Sequence, residues 1–157
     1  MVRILFVCLG NICRSPMAEA MLRHLAEHEG MGGKLSIDSA GTGDWHIGKP
    51  PHEGTRGVLD RGGISYAGMK ARQFDGGDFA AFDYIVCMDA QNERDVNAIR
   101  ARTAGGDAKV LRFMDLVADA KSTDVPDPYY TGNFDEVYEL VQAGCAELLR
   151  RVKAEPA

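Results

Sequence analysis

The sequence predicts an α/β fold in which a four-stranded parallel sheet has helices on both faces, forming a three-layer sandwich. Two observations support this prediction. Short apolar runs alternate along the chain with longer segments whose apolar residues recur every three or four positions, and this order favours parallel strands joined by helices. The apolar runs are also nearly continuous, as is typical of strands that helices bury from both sides.

The apolar pattern places each element in order along the chain. Strands are expected at 3–8, 35–39, 83–88 and 109–113. Helices are expected at roughly 16–29, 52–62, 90–101 and 134–153. In the last helix the apolar residues form one stripe that should pack on the sheet, made of Phe134, Val137, Tyr138, Val141, Cys145, Leu148, Leu149 and Val152. The segments 41–51 and 118–132 are expected to be long functional loops.

Composition limits the possible functions. The chain has 157 residues, which suits a single domain spanning 1–157. Its net charge is -5, and it has no dense basic run, which argues against a nucleic-acid partner. No apolar run is long enough for a signal peptide or a membrane span, so no membrane partner is expected. Four scattered cysteines favour a reducing cytoplasm over a secreted disulfide framework.

The stretch VCLGNICRSPMAEA, residues 7–20, joins the first strand to the first helix. Ser15 followed by Pro16 predicts an N-cap with proline at the first helical position. Gly10 and Asn11 tolerate positive φ, so the intervening chain can curl with its N–H groups pointing inward. Because a helix N-terminus attracts anions, this loop predicts a phosphate-sized cradle.

Cys8 and Arg14 give that cradle its chemistry. Arg14 can hold two phosphate oxygens at once, and the positive potential of the loop favours a nucleophilic thiolate at Cys8. The alternative for Cys8 is a small buried hydrophobe at a strand end. The loop does not have the Gly-Lys-Ser/Thr ending of a Walker-type nucleotide-binding loop. A zinc site would need a second pair of ligands, which the sequence does not provide at the right spacing, so no metal is expected.

A second motif, DVPDPYYTG at 124–132, provides a candidate general acid. Asp127 lies between two prolines, which stiffen its backbone and can hold its carboxyl over a site. The alternative is an ordinary Asp-Pro turn with surface tyrosines. Together with the Cys8 loop, the motif favours the catalytic interpretation.

Five segments resemble the low molecular weight protein tyrosine phosphatases, in order, over almost the whole chain. They are VCLGNICRSPMAEA, DSAGTGDWHIGKPP, ARQF, FDYIVCMDAQN and DPYYTG. The resemblance implies a flavodoxin-like sandwich and a cofactor-free, metal-free phosphatase of phosphotyrosine proteins, with phosphate or vanadate as ligands. It also implies that Cys8 is the nucleophile, Arg14 the phosphate clamp and Asp127 the general acid.

The same resemblance assigns supporting residues. Ser15 should hydrogen-bond the Cys8 thiolate, and Asn11 should fix the left-handed turn of the loop with Ser39 as a partner. The positions that match the phosphate loop and pocket mouth are Leu9, Gly10, Ile12, Cys13, Trp45, Asp89, Asn92, Tyr129 and Tyr130. Many family members have a histidine, bonded into the asparagine network, where this chain has Met69.

The remaining histidines and cysteines receive simpler interpretations. The four histidines are expected on the solvated surface, and Cys87 and Cys145 in the core. Cys13 lies five residues after Cys8 on a curled segment, which can bring two Cα atoms within the roughly 4.4–6.8 Å that a disulfide requires. We therefore expect peroxide to inactivate the protein through a reversible Cys8–Cys13 disulfide.

Three alternatives to a phosphatase stay open on the residues alone. An arsenate reductase on the same scaffold would need further cysteines to relay a disulfide. A phosphocysteine carrier would not need an acid such as Asp127. A phosphotyrosine-binding module would not need Cys8. The sequence favours a cytoplasmic, monomeric phosphatase over all three.

Overall fold

The computed structural model describes residues 1–154, whose fold confirms the predicted sandwich. Four parallel strands form one sheet in the order β2-β1-β3-β4. Their bounds are β1 Val2–Cys8, β2 Leu35–Gly41, β3 Tyr84–Cys87 and β4 Lys109–Arg112. All four lie within two residues of the ranges expected from the apolar pattern, because nearly continuous apolar runs mark buried strands clearly.

Six α-helices connect and cover the strands within the described residues. They are α1 Arg14–His28, α2 Glu53–Arg61, α3 Asp78–Ala81, α4 Ala90–Ala101, α5 Pro128–Thr131 and α6 Phe134–Ala154. Two short 3-10 turns lie at Gly32–Lys34 and Phe113–Leu116. The sequence missed α3 and α5, because a single helical turn is too short to show a 3.6-residue pattern.

Alternate residues of β1 face two separate cores, as the pleat of a strand requires. Ile4 and Phe6 pack against α1, α2 and α6 on one face of the sheet. Leu5 and Val7 pack on the other face, against Phe79 of α3 and other apolar side chains, including Val96 of α4. Cys145 on α6 and Cys87 on β3 are fully buried in these two cores, as expected.

The sheet order fixes where a site can form. β1 is a central strand, with β2 on one side of it and β3 and β4 on the other, so the order in which strands are added to the sheet reverses at β1. Such a reversal opens a crevice beyond the carboxyl ends of the strands. The loop from Cys8 to Arg14 starts from this crevice. No helix within residues 1–154 has both the length and the apolar character needed to cross a membrane.

Candidate active site

The loop after β1 wraps around the sulfur of Cys8. The backbone N–H of Asn11 donates to Cys8 Sγ at 3.3 Å, and Ser15 Oγ lies 3.0 Å from the same atom. Asn11 has φ of 56°, in the left-handed region that its residue type tolerates. Cys8 itself is only 2% exposed. Two polar groups therefore meet the sulfur at the bottom of the loop.

Helix α1 begins at Arg14, so the expected N-cap at Ser15 is wrong. Cys13 occupies the cap position without a side-chain hydrogen bond. Ser15 lies inside the first turn, where its hydroxyl bonds within the loop instead of capping the helix. Pro16 is the third helical residue, a place where its missing N–H costs no intrahelical bond.

Asn11 connects the loop to three parts of the molecule through its side chain. Its Nδ2 donates to Ser15 Oγ at 2.8 Å and to Ser39 Oγ at 2.9 Å. Its Oδ1 accepts from the backbone N–H of Arg72 at 2.9 Å. The amide is 3% exposed. The buried polar atoms of the Asn11 side chain are all paired with other groups of the protein in this arrangement. These hydrogen bonds therefore hold the left-handed turn in place.

The network continues from Ser39 to the surface through two residues that the sequence analysis missed. Ser39 Oγ donates to Glu19 Oε1 at 2.6 Å, and Arg23 Nη2 donates to Glu19 Oε2 at 2.6 Å. Glu19 is 6% exposed, so its carboxylate depends on these partners. Met69, where a histidine is common in the family, contacts Arg23 through sulfur at 3.9 Å. Arg23 thus provides the cation that neutralises Glu19.

Arg14 lies beside Cys8 with its guanidinium almost fully enclosed. Nη1 donates to Asp89 Oδ2 at 2.8 Å and to the Val125 carbonyl at 3.0 Å, and Nη2 lies 3.4 Å from Asp127 Oδ2. Burial alone would lower the pKa of Arg14, but the negative charge of Cys8 and the two carboxylates outweigh it and raise that pKa. Its Nε is buried and has no hydrogen-bond partner within residues 1–154.

Asp127 is positioned by the short helix that follows it. Its Oδ1 accepts from the N–H of Tyr129 at 3.1 Å, which caps α5, while Oδ2 faces Arg14. The carboxyl remains 23% exposed. One oxygen is therefore used to fix the side chain, and the other points to the guanidinium at the pocket.

Asp89 and Asn92 form the capping box of α4, and this corrects their expected place at the pocket mouth. Asp89 Oδ1 accepts from the N–H of Asn92 at 2.7 Å, and Asn92 Oδ1 accepts from the N–H of Asp89 at 3.2 Å. Asn92 is 1% exposed and lines no wall of the pocket. Asp89 stands behind Arg14 and orients it.

The pocket has a volume of about 320 Å³ and brings most of the predicted residues together. Its floor and walls are Cys8, Leu9, Gly10, Ile12, Cys13, Arg14, Trp45, His46, Asp127, Tyr129 and Tyr130. Trp45, Tyr129 and Tyr130 are among the most exposed large apolar side chains. An anion-binding floor thus lies beneath an aromatic mouth.

Two histidines expected on the surface belong to this region instead. His46 lines the pocket over Gly10, with its ring centroid 6.0 Å from that of Tyr129. His52 is half-buried, caps α2 through Nδ1 and stacks on Phe134 at 5.1 Å. The position of His46 directly after Trp45, in a loop predicted to be functional, was the signal available in the sequence.

We predict that Ser39→Ala lowers the free energy of unfolding by about 1–3 kcal/mol, the usual cost of leaving buried polar groups unpaired. The change removes the link between Glu19 and Asn11. Urea denaturation measures the effect. Ser36→Ala, an exposed position on the same strand, is the control and should stay within about 0.5 kcal/mol of wild type. Equal losses in both variants would assign the effect to the strand and not to the network.

Comparisons with known proteins agree with this geometry. The family model described as "Low molecular weight phosphotyrosine protein phosphatase" matches residues 3–157. The low molecular weight protein-tyrosine-phosphatase YfkJ of Bacillus subtilis is 52% identical over 156 residues, covering 99% of this chain and 98% of that protein. PtpA of Staphylococcus haemolyticus is 45% identical over 149 residues, covering 95% and 92%.

Solved structures give the same result. The crystal structure of YfkJ matches with a TM-score of 0.94 and 51% identity, covering 100% of this chain and 98% of that one. The crystal structure of DARP, drosophila arginine phosphatase, matches with a TM-score of 0.90 and 30% identity, covering 98% of this chain and 99% of that one. The chain belongs to the low molecular weight phosphotyrosine protein phosphatase family.

Proposed function

We propose that this phosphatase hydrolyses phosphotyrosine in proteins, with Cys8 as nucleophile, Arg14 as phosphate clamp and Asp127 as general acid. The observation that carries the proposal is the convergence of these three side chains on one pocket, with the Cys8 sulfur at its floor. The aromatic mouth supports the choice of substrate. A phosphotyrosine ring is long enough to pass such a mouth, whereas a phosphoserine side chain is short.

The reaction proceeds in two steps that share the same groups. Cys8 Sγ attacks phosphorus while the bond to the tyrosyl oxygen breaks, and Asp127 gives that oxygen a proton. Asp127 then takes a proton from water, which attacks phosphorus, breaks the S–P bond and releases phosphate. Arg14 and the loop N–H groups hold the remaining phosphate oxygens throughout. The substrate phosphate replaces Asp127 as partner of Arg14 Nη2, which frees the carboxyl to face the leaving group.

The three alternatives find less support. Cys87 and Cys145 are fully buried, and burial raises the pKa of both thiols, so neither suits a disulfide relay for arsenate reduction. A carrier has no use for Asp127 held at the pocket. A phosphotyrosine-binding module would not need polar groups in contact with the Cys8 sulfur. Hydrolysis uses all of these features.

We further propose that residues 1–157 act as one monomeric unit in the cytoplasm. All four cysteines are free thiols, which a reducing compartment preserves. Apart from Met1, the large apolar side chains exposed within residues 1–154 are Trp45, Ile47, Tyr129 and Tyr130. Three of these line the pocket, so the exposed apolar surface is concentrated where substrate would bind.

The test is steady-state phosphate release from phosphotyrosine, phosphoserine and phosphoarginine peptides of one sequence, with a metal chelator present. We expect phosphotyrosine to be the preferred substrate. Cys8→Ser should abolish turnover and still bind vanadate, because the cradle consists mainly of backbone N–H groups and Arg14. Preference for phosphoarginine would replace the substrate assignment. Turnover by Cys8→Ser above a tenth of wild type would exclude Cys8 as the nucleophile.

The role of Asp127 predicts a dependence on the leaving group. Asp127→Asn keeps an oxygen to cap α5 but cannot donate the acidic proton, so kcat should fall by roughly 100-fold for aryl phosphates with poor leaving groups. Loss should be small for p-nitrophenyl phosphate, whose leaving group needs little protonation. Asp124→Asn, in the same loop, is the control, because its Oδ1 accepts from the N–H of Ala90 and the hydroxyl of Thr123 and its side chain does not line the pocket. Equal losses for all leaving groups would make Asp127 structural.

We also propose that peroxide inactivates the enzyme reversibly through Cys8 and Cys13, both at the pocket. Peroxide oxidises the Cys8 thiolate to a sulfenic acid. The Cys13 sulfur then attacks the Cys8 sulfur, the S–O bond breaks, and water carries away the oxygen and the proton. Burial, followed by the negative charges of Cys8 and Asp127, raises the pKa of Cys13 to about 12. Oxidation of Cys8 removes one of those charges.

This route predicts a pH dependence. Because the thiolate is the attacking species, closure of the disulfide should accelerate by up to about tenfold per pH unit below the Cys13 pKa. Peroxide-treated enzyme should therefore recover more fully with thiols after treatment at pH 8.5 than at pH 6.5. Cys13→Ser should lose this recovery, whereas Cys145→Ala should keep it. Peptide mapping identifies the bond, and full recovery of Cys13→Ser would exclude Cys13 as the resolving thiol.

A further inference from the structure

A second cavity lies beside the catalytic pocket and shares two residues with it. Its volume is about 330 Å³. We call it the α4 groove, and its lining is Leu9, Thr42, Gly43, Trp45, Asp95, Ala98, Ile99 and Arg102. Leu9 and Trp45 also line the catalytic pocket. The indole of Trp45 is therefore a wall that the two cavities share.

Gly43 allows the Trp45 ring to take its position. A Cβ atom on Gly43 would lie 2.0 Å from Trp45 Cζ3 and 2.4 Å from Cε3, so the ring can take this position only because residue 43 has no side chain. The N–H of Gly43 donates to the Leu9 carbonyl at 2.9 Å. The backbone beside the wall is thus tied to the phosphate loop, and the indole itself is 65% exposed.

Two charged residues of opposite sign, Asp95 and Arg102, line the α4 groove. Asp95 already accepts from Gln91 Nε2 at 2.9 Å. Arg102 is exposed, and its guanidinium has no hydrogen-bond or ion-pair partner within residues 1–154. Between them, Leu9, Trp45 and Ile99 provide apolar walls. The groove therefore offers apolar walls and, at Arg102, a cation that favours a carboxylate, whereas the Asp95 charge disfavours a carboxylate at its own position seven residues earlier on the chain.

We propose that the α4 groove binds the part of a peptide substrate next to its phosphotyrosine and selects peptides with Asp or Glu there through Arg102. This inference rests on the proposed function, since the phosphotyrosine must occupy the catalytic pocket. Peptide that leaves the mouth on the Trp45 side crosses the indole and enters the groove. Arg102 then discriminates among phosphotyrosine sites that the catalytic pocket alone treats alike.

The experiment compares kcat/KM for a neutral phosphotyrosine peptide with that for peptides carrying one Glu at each of three positions on either side. Wild type should prefer at least one Glu peptide by about fivefold, the effect of one exposed ion pair at its upper range. The preference should weaken as salt is added. Arg102→Glu should reverse it and favour a peptide with Lys at the same position. That charge exchange identifies direct pairing.

Arg94→Glu is the matched control, because Arg94 is exposed on the same helix, bonds to Gln91 and does not line the groove. It changes the net charge equally and should keep the wild-type preference. An equal loss in both variants would assign selectivity to net charge and overturn the proposal. So would a wild type that treats all peptides alike, or an Arg102→Glu variant without the reversal.

A second variant tests the apolar part of the groove. Ala98→Leu should fill space between Trp45 and α4, and should raise KM for the peptides more than for phenyl phosphate. Asn97→Leu, the exposed neighbour outside the lining, should not change this ratio. An unchanged ratio in Ala98→Leu would show that peptide does not enter the groove. Failure of wild type to hydrolyse either substrate would instead overturn the proposed function.

Discussion

The hydrogen bonds of Asn11 are the constraint on which the rest of the site depends. The backbone N–H of this residue contacts the Cys8 sulfur, while its side chain holds Ser15, Ser39 and the Arg72 backbone together. A left-handed non-glycine residue persists only where its surroundings over-determine it. The four hydrogen bonds of Asn11 fix its left-handed conformation in this way. The Asn11 N–H can therefore keep pointing to the Cys8 sulfur before any anion binds, and the cost of ordering this turn is met during folding.

The sheet makes this arrangement possible by bringing distant segments to one edge. The end of β2 lies so close to the loop that a Cβ on Gly41 would be 2.7 Å from the Leu9 carbonyl. The end of β3 leads to Asp89, and the segment before α5 provides the Val125 carbonyl. Three connections that are far apart in sequence thus surround one strand end. Parallel order is what places all of these ends on the same side.

How far the sequence predicts this structure depends on whether a feature is local. The strands and α6 follow from apolar runs, and the anion loop follows from Gly10, Asn11 and the helix start. The prediction of Ser15 as the N-cap is wrong because its hydroxyl bonds to Cys8, a contact that exists only once the loop has closed. The capping box of Asp89 and Asn92 is local and was detectable from its three-residue spacing. The link from Glu19 to Ser39 joins a helix to a strand and needed the tertiary structure.

Arg14 shows why the supporting residues matter as much as the reacting ones. A buried guanidinium is costly unless its donors are paired, and here the Asp89 carboxylate and the Val125 carbonyl pair Nη1. Asp89 can do this because the capping box fixes its other oxygen. Of the remaining donors, Nη2 has only a long contact of 3.4 Å to Asp127 Oδ2, and the buried Nε has no hydrogen-bond partner within residues 1–154. The guanidinium is thus oriented from the side of Nη1, and in the proposed mechanism only Nη2 has to exchange its partner, from Asp127 to a phosphate oxygen.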